Sequence, residues 1–284
     1  MPVISIQELQ QLIPKLNNSA GEVIIKRMMH FTAVDRINDL YDRNSNWEGV
    51  CFADAVLQDI GVDYCIGNAS RLGQLPEGPF ITISNHPYGH IDGIILVDLL
   101  GHLRPDFKVM VNRILAHIRA LSPNFIEVVP KGEKDTGVQA ASLAGIKETL
   151  AHLREGHPVG FFPSGAISDL SLKERSIRDR NWQEPLLRLI QKAGVPIVPV
   201  RFFDRNSLYY YSLGLIDWKV RLLRLCPEVF NKRGKLIRVG IGETIPVEAQ
   251  LACNSVESFG QMLRQSVYEM PLPDTFIKRS MLPL

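Results

Sequence analysis

The sequence predicts an α/β domain with a mixed, largely parallel sheet flanked by helices, spanning residues 61–284 behind an N-terminal helical extension over 1–60. Three observations carry that expectation. From about residue 61, short β-rich runs alternate with amphipathic stretches, the pattern of strands joined by helical crossovers. Two apolar runs end in polar turns containing glycine and proline, as strands do at the ligand-binding edge of such a sheet. The first sixty residues read mostly as helix and carry helix-start signals.

Along the chain, Ser5 with Glu8 and Ser19 with Glu22 each fit a capping box ahead of apolar residues at helical spacing. Pro14 should end or kink the first helix, because its ring fixes the backbone and removes a donor. Residues 79–84 read as a strand, 92–103 as a helix, 107–111 as a strand, 114–121 as a helix and 125–129 as a strand. The next helix is capped by Thr136 and stopped by Gly156, with Val138, Leu143, Ile146, Leu150 and Leu153 as its apolar face. Strand 158–162, a loop, a helix over 182–193 ended by Gly194, and strand 195–202 follow.

Composition narrows the function. Hydrophobic residues make up 45% and charged residues 22%, which suits a packed core and excludes disorder. No stretch approaches the roughly 18 consecutive apolar residues of a membrane span. The start lacks a signal-peptide pattern, so a cytoplasmic protein is expected. The four cysteines are far apart without metal-type spacing and are expected as free thiols. A net charge of +2 makes no case for nucleic acid. Between Arg201 and Arg238, however, nine Lys/Arg face three acids, a local excess of six.

The chemistry concentrates at two strand ends. The run 80–84 leads into Asn85-His86-Pro87-Tyr88-Gly89-His90-Ile91-Asp92-Gly93. A histidine at a strand end with a carboxylate at the start of the next helix can form a base and its orienting partner. The Asp fixes the imidazole tautomer and stabilises the imidazolium. Pro87 and Gly89 suit the tight turn this requires. His90 competes with His86 as the base, and Asp92 alone would also serve as an ordinary helix-start residue. The second strand end is Pro163-Ser164-Gly165-Ala166, where a turn can present backbone N–H groups to an oxyanion and Gly165 permits close approach. Later comes Gly194-Val195-Pro196-Ile197-Val198-Pro199-Val200, read as a core strand with prolines at edge or bulge positions.

Asn-His-Pro-x-Gly-x-x-Asp-Gly resembles the first block of the glycerolipid acyltransferases, which include glycerol-3-phosphate and lysophosphatidate acyltransferases. Phe162-Pro163-Ser164-Gly165 stands where that family carries Phe-Pro-Glu-Gly-Thr-Arg. The Val-Pro-Ile-Val-Pro-Val run resembles its final block, and 125–128 falls about where its second belongs. Order and spacing agree over roughly 78–202. Five residues separate His86 from Asp92, where the commoner form has four. The longer form resembles a bacterial hemolysin-like branch that includes enzymes O-acylating the lyso forms of amino-acid lipids such as ornithine or glycine lipids, and related N-acylating enzymes.

The resemblance implies direct acyl transfer from acyl-acyl carrier protein or acyl-coenzyme A to the hydroxyl or amine of a lyso-lipid or lipid precursor, with no cofactor beyond that co-substrate. His86 and Asp92 would be catalytic, and Asn85, Gly89, Pro163, Ser164 and Gly165 would line the substrate site. Ser164 replaces the family's glutamate and its arginine is absent by Ile167, which argues against glycerol-3-phosphate as acceptor. Arg175, Arg178, Arg180 and Lys131 are candidates for an anion contact, with Arg178 preferred among the arginines. Tyr209, Tyr210, Tyr211 and Trp218, with Lys219, Arg221 and Arg224, suggest peripheral contact with the inner face of the cytoplasmic membrane. Two rivals stay open: a Ser164-dependent lipase or thioesterase, and a non-catalytic membrane-binding protein.

Overall fold

A computed structural model of the chain describes residues 3–128 and 136–282. Four helices come first: α1 (Ile6–Leu12), α2 (Ser19–Phe31), α3 (Val34–Asn44) and α4 (Gly49–Ile60). Strand β1 (Asp63–Gly67) leads to β2 (Ile81–Ser84), α5 (His90–Leu103), β3 (Lys108–Asn112), β4 (Phe125–Val128), α6 (Thr136–Arg154) and β5 (Val159–Phe161). A hairpin of β6 (Asp169–Ser171) and β7 (Ser176–Arg178) precedes α7 (Glu184–Ala193) and β8 (Ile197–Phe202). Short helices α8 (Leu208–Ile216), α9 (Trp218–Leu222) and α10 (Leu225–Phe230) lead to β9 (Leu236–Ile241), α11 (Val247–Leu251), α12 (Val256–Tyr268) and β10 (Phe276–Lys278).

Eight strands form one mixed sheet in the order β10-β1-β9-β8-β2-β5-β3-β4. From β8 to β4 every pairing is parallel, while β9 runs antiparallel to β8 and parallel to β1. The fold is therefore the layered α/β arrangement that the alternation predicts. Its central strands are buried almost throughout because helices cover both faces. On one face α4 and α5 bury Phe52, Val56, Ile91, Ile95 and Leu99 together with Val198 and Val200 of β8. On the other, α7 and α12 bury Leu187, Ile190, Phe259 and Leu263 against Ile81 and Ile83 of β2. Burying each such side chain is worth roughly 1.5–3 kcal/mol. Helix α5 lies under this packing almost all round, which places its first turn rigidly beneath the end of β2.

Several local expectations hold and several change. The Ser5–Glu8 capping box forms, and α1 stops at Leu12, two residues before Pro14. Asn18 rather than Ser19 caps α2: its side chain accepts the Gly21 N–H, and Glu22 pairs with Lys26 instead of closing a box. Residues 114–121 do not form one helix but parts of two 3-10 turns, Arg113–His117 and Arg119–Asn124, the second containing Pro123. The loop after residue 162 contains the β6–β7 hairpin. Pro199 sits in a central strand, not at an edge. Its carbonyl accepts the Gly242 N–H, so its nitrogen faces the side where regular β8–β9 pairing has ended.

Candidate active site

The chain leaves β2 at Ser84 and turns through 85–89 into α5. Asn85 carries the β2–β8 ladder one step further: its Nδ2 donates to Phe202 O at 2.9 Å and its Oδ1 accepts the Phe202 N–H at 2.8 Å. That amide, expected to touch substrate, is thus taken up by the neighbouring strand and positions His86. Three carbonyls of the turn are each held by a distant residue. His86 O accepts the Ser168 N–H at 2.9 Å, Pro87 O the Tyr211 hydroxyl at 2.6 Å, and Tyr88 O the Asn206 Nδ2 at 3.1 Å. A turn tied down at three successive carbonyls holds its side chains without further reorganisation.

Gly89 serves this geometry. Its φ is +89°, and a Cβ there would come within 2.6 Å of Ile167 Cδ1 and 3.2 Å of Leu225 Cδ1. Gly89→Ala is expected to cost about 1–3 kcal/mol of stability, measured by urea unfolding, from the strained backbone before any clash is counted.

Asp92, on the first turn of α5 and 0% exposed, accepts the Tyr88 N–H at 2.9 Å. The same oxygen lies 3.1 Å from His86 Nδ1, within ion-pair range though off the line of a hydrogen bond. Burial disfavours the His86 imidazolium, but Asp92 and then Asp179 outweigh it, and its pKa rises above the ordinary imidazole value. His90, the competing base, has its pKa pushed down to about 4 by burial, so it is neutral near pH 7. Its Nδ1 is buried without a hydrogen-bond partner among the described residues.

The second strand end meets the first. Phe162, following β5, packs on His86 with ring centroids 4.1 Å apart. Pro163 O accepts the Gln183 N–H at 2.9 Å, which ties the turn to α7. Gly165 has φ +63°, and a Cβ there would fall 2.0 Å from Gln183 Nε2, itself bonded to Ser164 O. The Gly165 N–H donates to Phe162 O and is spent inside the turn. Among the described residues the Ser164 N–H has no acceptor, so the expected pair of oxyanion donors narrows to that one. Ser164 Oγ donates to Ala166 O at 2.7 Å, and no hydrogen bond among the described residues joins it to His86.

The arginine candidates separate. Arg180 pairs with Asp169. Arg175 is exposed at the tip of the hairpin. Arg178 stacks over Tyr268 at 5.4 Å and is exposed. Lys131 lies outside the described residues. The interfacial segment is also sorted by its breaks. Asp217 ends α8 and caps α9 with its own side chain, so the stretch is not one continuous helix. Tyr210 and Tyr211 are buried, not interfacial, and Arg221 is buried against Ser168 O and Asp169. Tyr209, Trp218, Lys219, Leu222 and Leu223 remain exposed.

A family model described as "Acyltransferase" matches residues 14–273. The chain belongs to the glycerolipid acyltransferase family. Two curated relatives of this acyltransferase are named lyso-glycine lipid O-acyltransferase. The protein from Bacteroides thetaiotaomicron is 25% identical over 92% of this chain and 95% of its own length. That from Phocaeicola vulgatus is 26% identical over 87% of each. Among solved structures, the 1-acyl-sn-glycerophosphate (LPA) acyltransferase of Thermotoga maritima aligns with a TM-score of 0.45 at 14% identity, over 87% of this chain and 93% of that one. Three groups around the acyltransferase's histidine turn escaped sequence reasoning, Asp179, Ser168 and Asn206, and Tyr211 was read as interfacial instead. Each lies more than eighty residues from the turn residue it binds, and no local pattern marks that role.

Proposed function

We propose that this acyltransferase moves a fatty acyl group from an acyl-acyl carrier protein or acyl-coenzyme A thioester to the hydroxyl of a lyso-amino-acid lipid, without a covalent intermediate. The observation that carries the reading is His86 held between Asp92 and a turn tied at three carbonyls, with Nδ1 facing the carboxylate and Nε2 left for the acceptor. The names of the two curated relatives favour a hydroxyl over an amine as the acceptor group. His86 Nε2 takes the hydroxyl proton as the acceptor oxygen bonds to the thioester carbon. The Ser164 N–H supports the oxyanion. The intermediate collapses by breaking the C–S bond, and the departing thiolate recovers the proton from His86. Arg178, exposed and without a carboxylate partner among the described residues, suits an anionic group of either substrate.

Among the described residues no helix is long and apolar enough to cross a membrane. Contact with lipid is assigned to the exposed apolar side chains of α8 and α9, Leu215, Ile216, Trp218 and Leu222, beside Lys219. Helix α2 adds Ile24, Met28 and Phe31, exposed at helical spacing.

The test offers each thioester donor to purified protein with lyso-phospholipids, glycerol-3-phosphate, free amino acids and N-acyl amino acids, with products read by mass spectrometry. An O-acylated amino-acid lipid that vanishes in a folded His86→Ala control is expected. Its rate should fall with decreasing pH through a pKa above the ordinary imidazole value of about 6.5, because protonated His86 cannot accept the proton. Ser164→Ala should keep transfer, since its hydroxyl is bonded within its own turn. Free fatty acid as sole product, lost in Ser164→Ala, would establish the hydrolase instead.

A further inference from the structure

Outside the His86–Asp92 pair, one carboxylate stands against the same histidine with an unusual environment. Asp179 follows β7 and is 4% exposed. Its Oδ1 accepts the His86 N–H at 3.1 Å and the Ser168 hydroxyl at 2.6 Å. Ser168 in turn donates its N–H to His86 O. Both main-chain polar groups of His86 are therefore bound by residues flanking the β6–β7 hairpin. Asp179 is itself pinned from α12: its N–H donates to Tyr268 Oη at 2.8 Å, and its carbonyl accepts Arg264 Nη2 at 2.8 Å.

The charge is the informative part. Capping one N–H and one hydroxyl needs only a neutral acceptor, and an asparagine would supply it. A carboxylate buried without a paired side-chain cation is costly, and burial pushes the Asp179 carboxyl above the ordinary carboxylate range. Here Asp179 Oδ2 is buried without a hydrogen-bond partner among the described residues, and Arg264 is spent on main-chain carbonyls. A purely structural clasp does not call for that cost. An imidazolium formed beside it during the reaction does, because an adjacent negative charge stabilises the cation when water is excluded.

We infer that Asp179 is the second carboxylate of the His86 site: a positioning residue that, with Ser168, fixes the His86 main chain and supports the cation His86 becomes. The inference rests on the reading of His86 as the base. Asp92 and His90 face His86 from α5, Asp179 faces it from just beyond the hairpin, and Phe162, just after β5, brings no charge. His90 is neutral near pH 7, so the two carboxylates set the electrostatics of the base.

Three variants of the full chain separate the possibilities, each checked for folding by circular dichroism and thermal melting. Asp179→Ala removes both clasp and charge. It is expected to lower kcat by about 100-fold, the scale of a catalytic group displaced by about 1 Å, with KM little changed. Asp179→Asn keeps an acceptor for His86 and Ser168 but removes the charge. It should recover much of that kcat while its acid limb moves to lower pH, because the His86 cation is then less supported and deprotonates earlier. An Asn variant whose kcat and pH limb match the parent enzyme would overturn the inference, as would a rise in KM at unchanged kcat. If Asp179→Ala does not fold, the Asn profile decides alone. Full activity in His86→Ala removes the base reading itself, whereas an inactive His86→Ala beside an unaffected Asp179→Asn removes only the role of Asp179.

Discussion

Asp92→Asn is expected to lower kcat by roughly 10²–10⁴-fold while leaving KM for the acceptor nearly unchanged. One carboxylate oxygen does two jobs: it accepts the Tyr88 N–H at 2.9 Å and lies 3.1 Å from His86 Nδ1. An asparagine can meet that arrangement in two ways, and both are poor. With its oxygen in place it still receives the Tyr88 N–H but offers no charge to the imidazolium. With its NH₂ in place it opposes two N–H donors and forces the wrong imidazole tautomer. The side chain is 0% exposed, so no water is at hand to repair either arrangement. Because the loss falls on the reacting proton and not on substrate contact, steady-state kinetics should show it in kcat. An Asn variant with the parent kcat would remove Asp92 from the mechanism.

The largest stability effect is expected at the far side of the same helix. Asp98 is buried in the middle of α5, where it accepts the Tyr64 hydroxyl at 2.6 Å and two Arg279 nitrogens at 3.0 Å each. Arg279→Ala leaves that carboxylate without its cation, and breaking a buried pair from one side costs about 3–5 kcal/mol. Arg279 is partly open to solvent and also contacts Asp54 at 3.1 Å, so the lower end of the range is expected. Urea unfolding measures it. Adding Asp98→Asn to Arg279→Ala should restore part of the loss, since the uncompensated charge is then gone. If the double variant is no more stable than the single one, packing and not charge accounts for the effect.

The central strands and the histidine turn were legible because their causes are local. Ile81, Ile83, Val159 and Phe161 are apolar in sequence since both faces of the sheet are covered. His86 and Asp92 are separated by five residues that make one tight turn into a helix. Gly156 and Gly194 follow helices and adopt positive φ, as C-terminal glycines do. The anion and membrane candidates were legible only as lists of residue types. Periodicity treats 208–230 as one helix, but Asp217 breaks it. Tyr210, Tyr211 and Arg221 then turn inward while Trp218 and Lys219 stay out.

What could not be read from order along the chain is which distant groups close on the histidine. Asp179 lies 93 residues from His86 and Tyr211 lies 124 from Pro87. Their chemistry depends on an amide or carbonyl that every residue possesses, so nothing in residue type marks the partner. Local residue order thus determined the α/β class, the central strands and the His86–Asp92 pair, because each follows from side-chain polarity and short-range turn geometry. Folding decided how that pair is held and charged, and which arginine and which tyrosines stay outside. Those choices depend on where the hairpin, α8 and α12 pack, and burial there is set by contacts across the whole sheet.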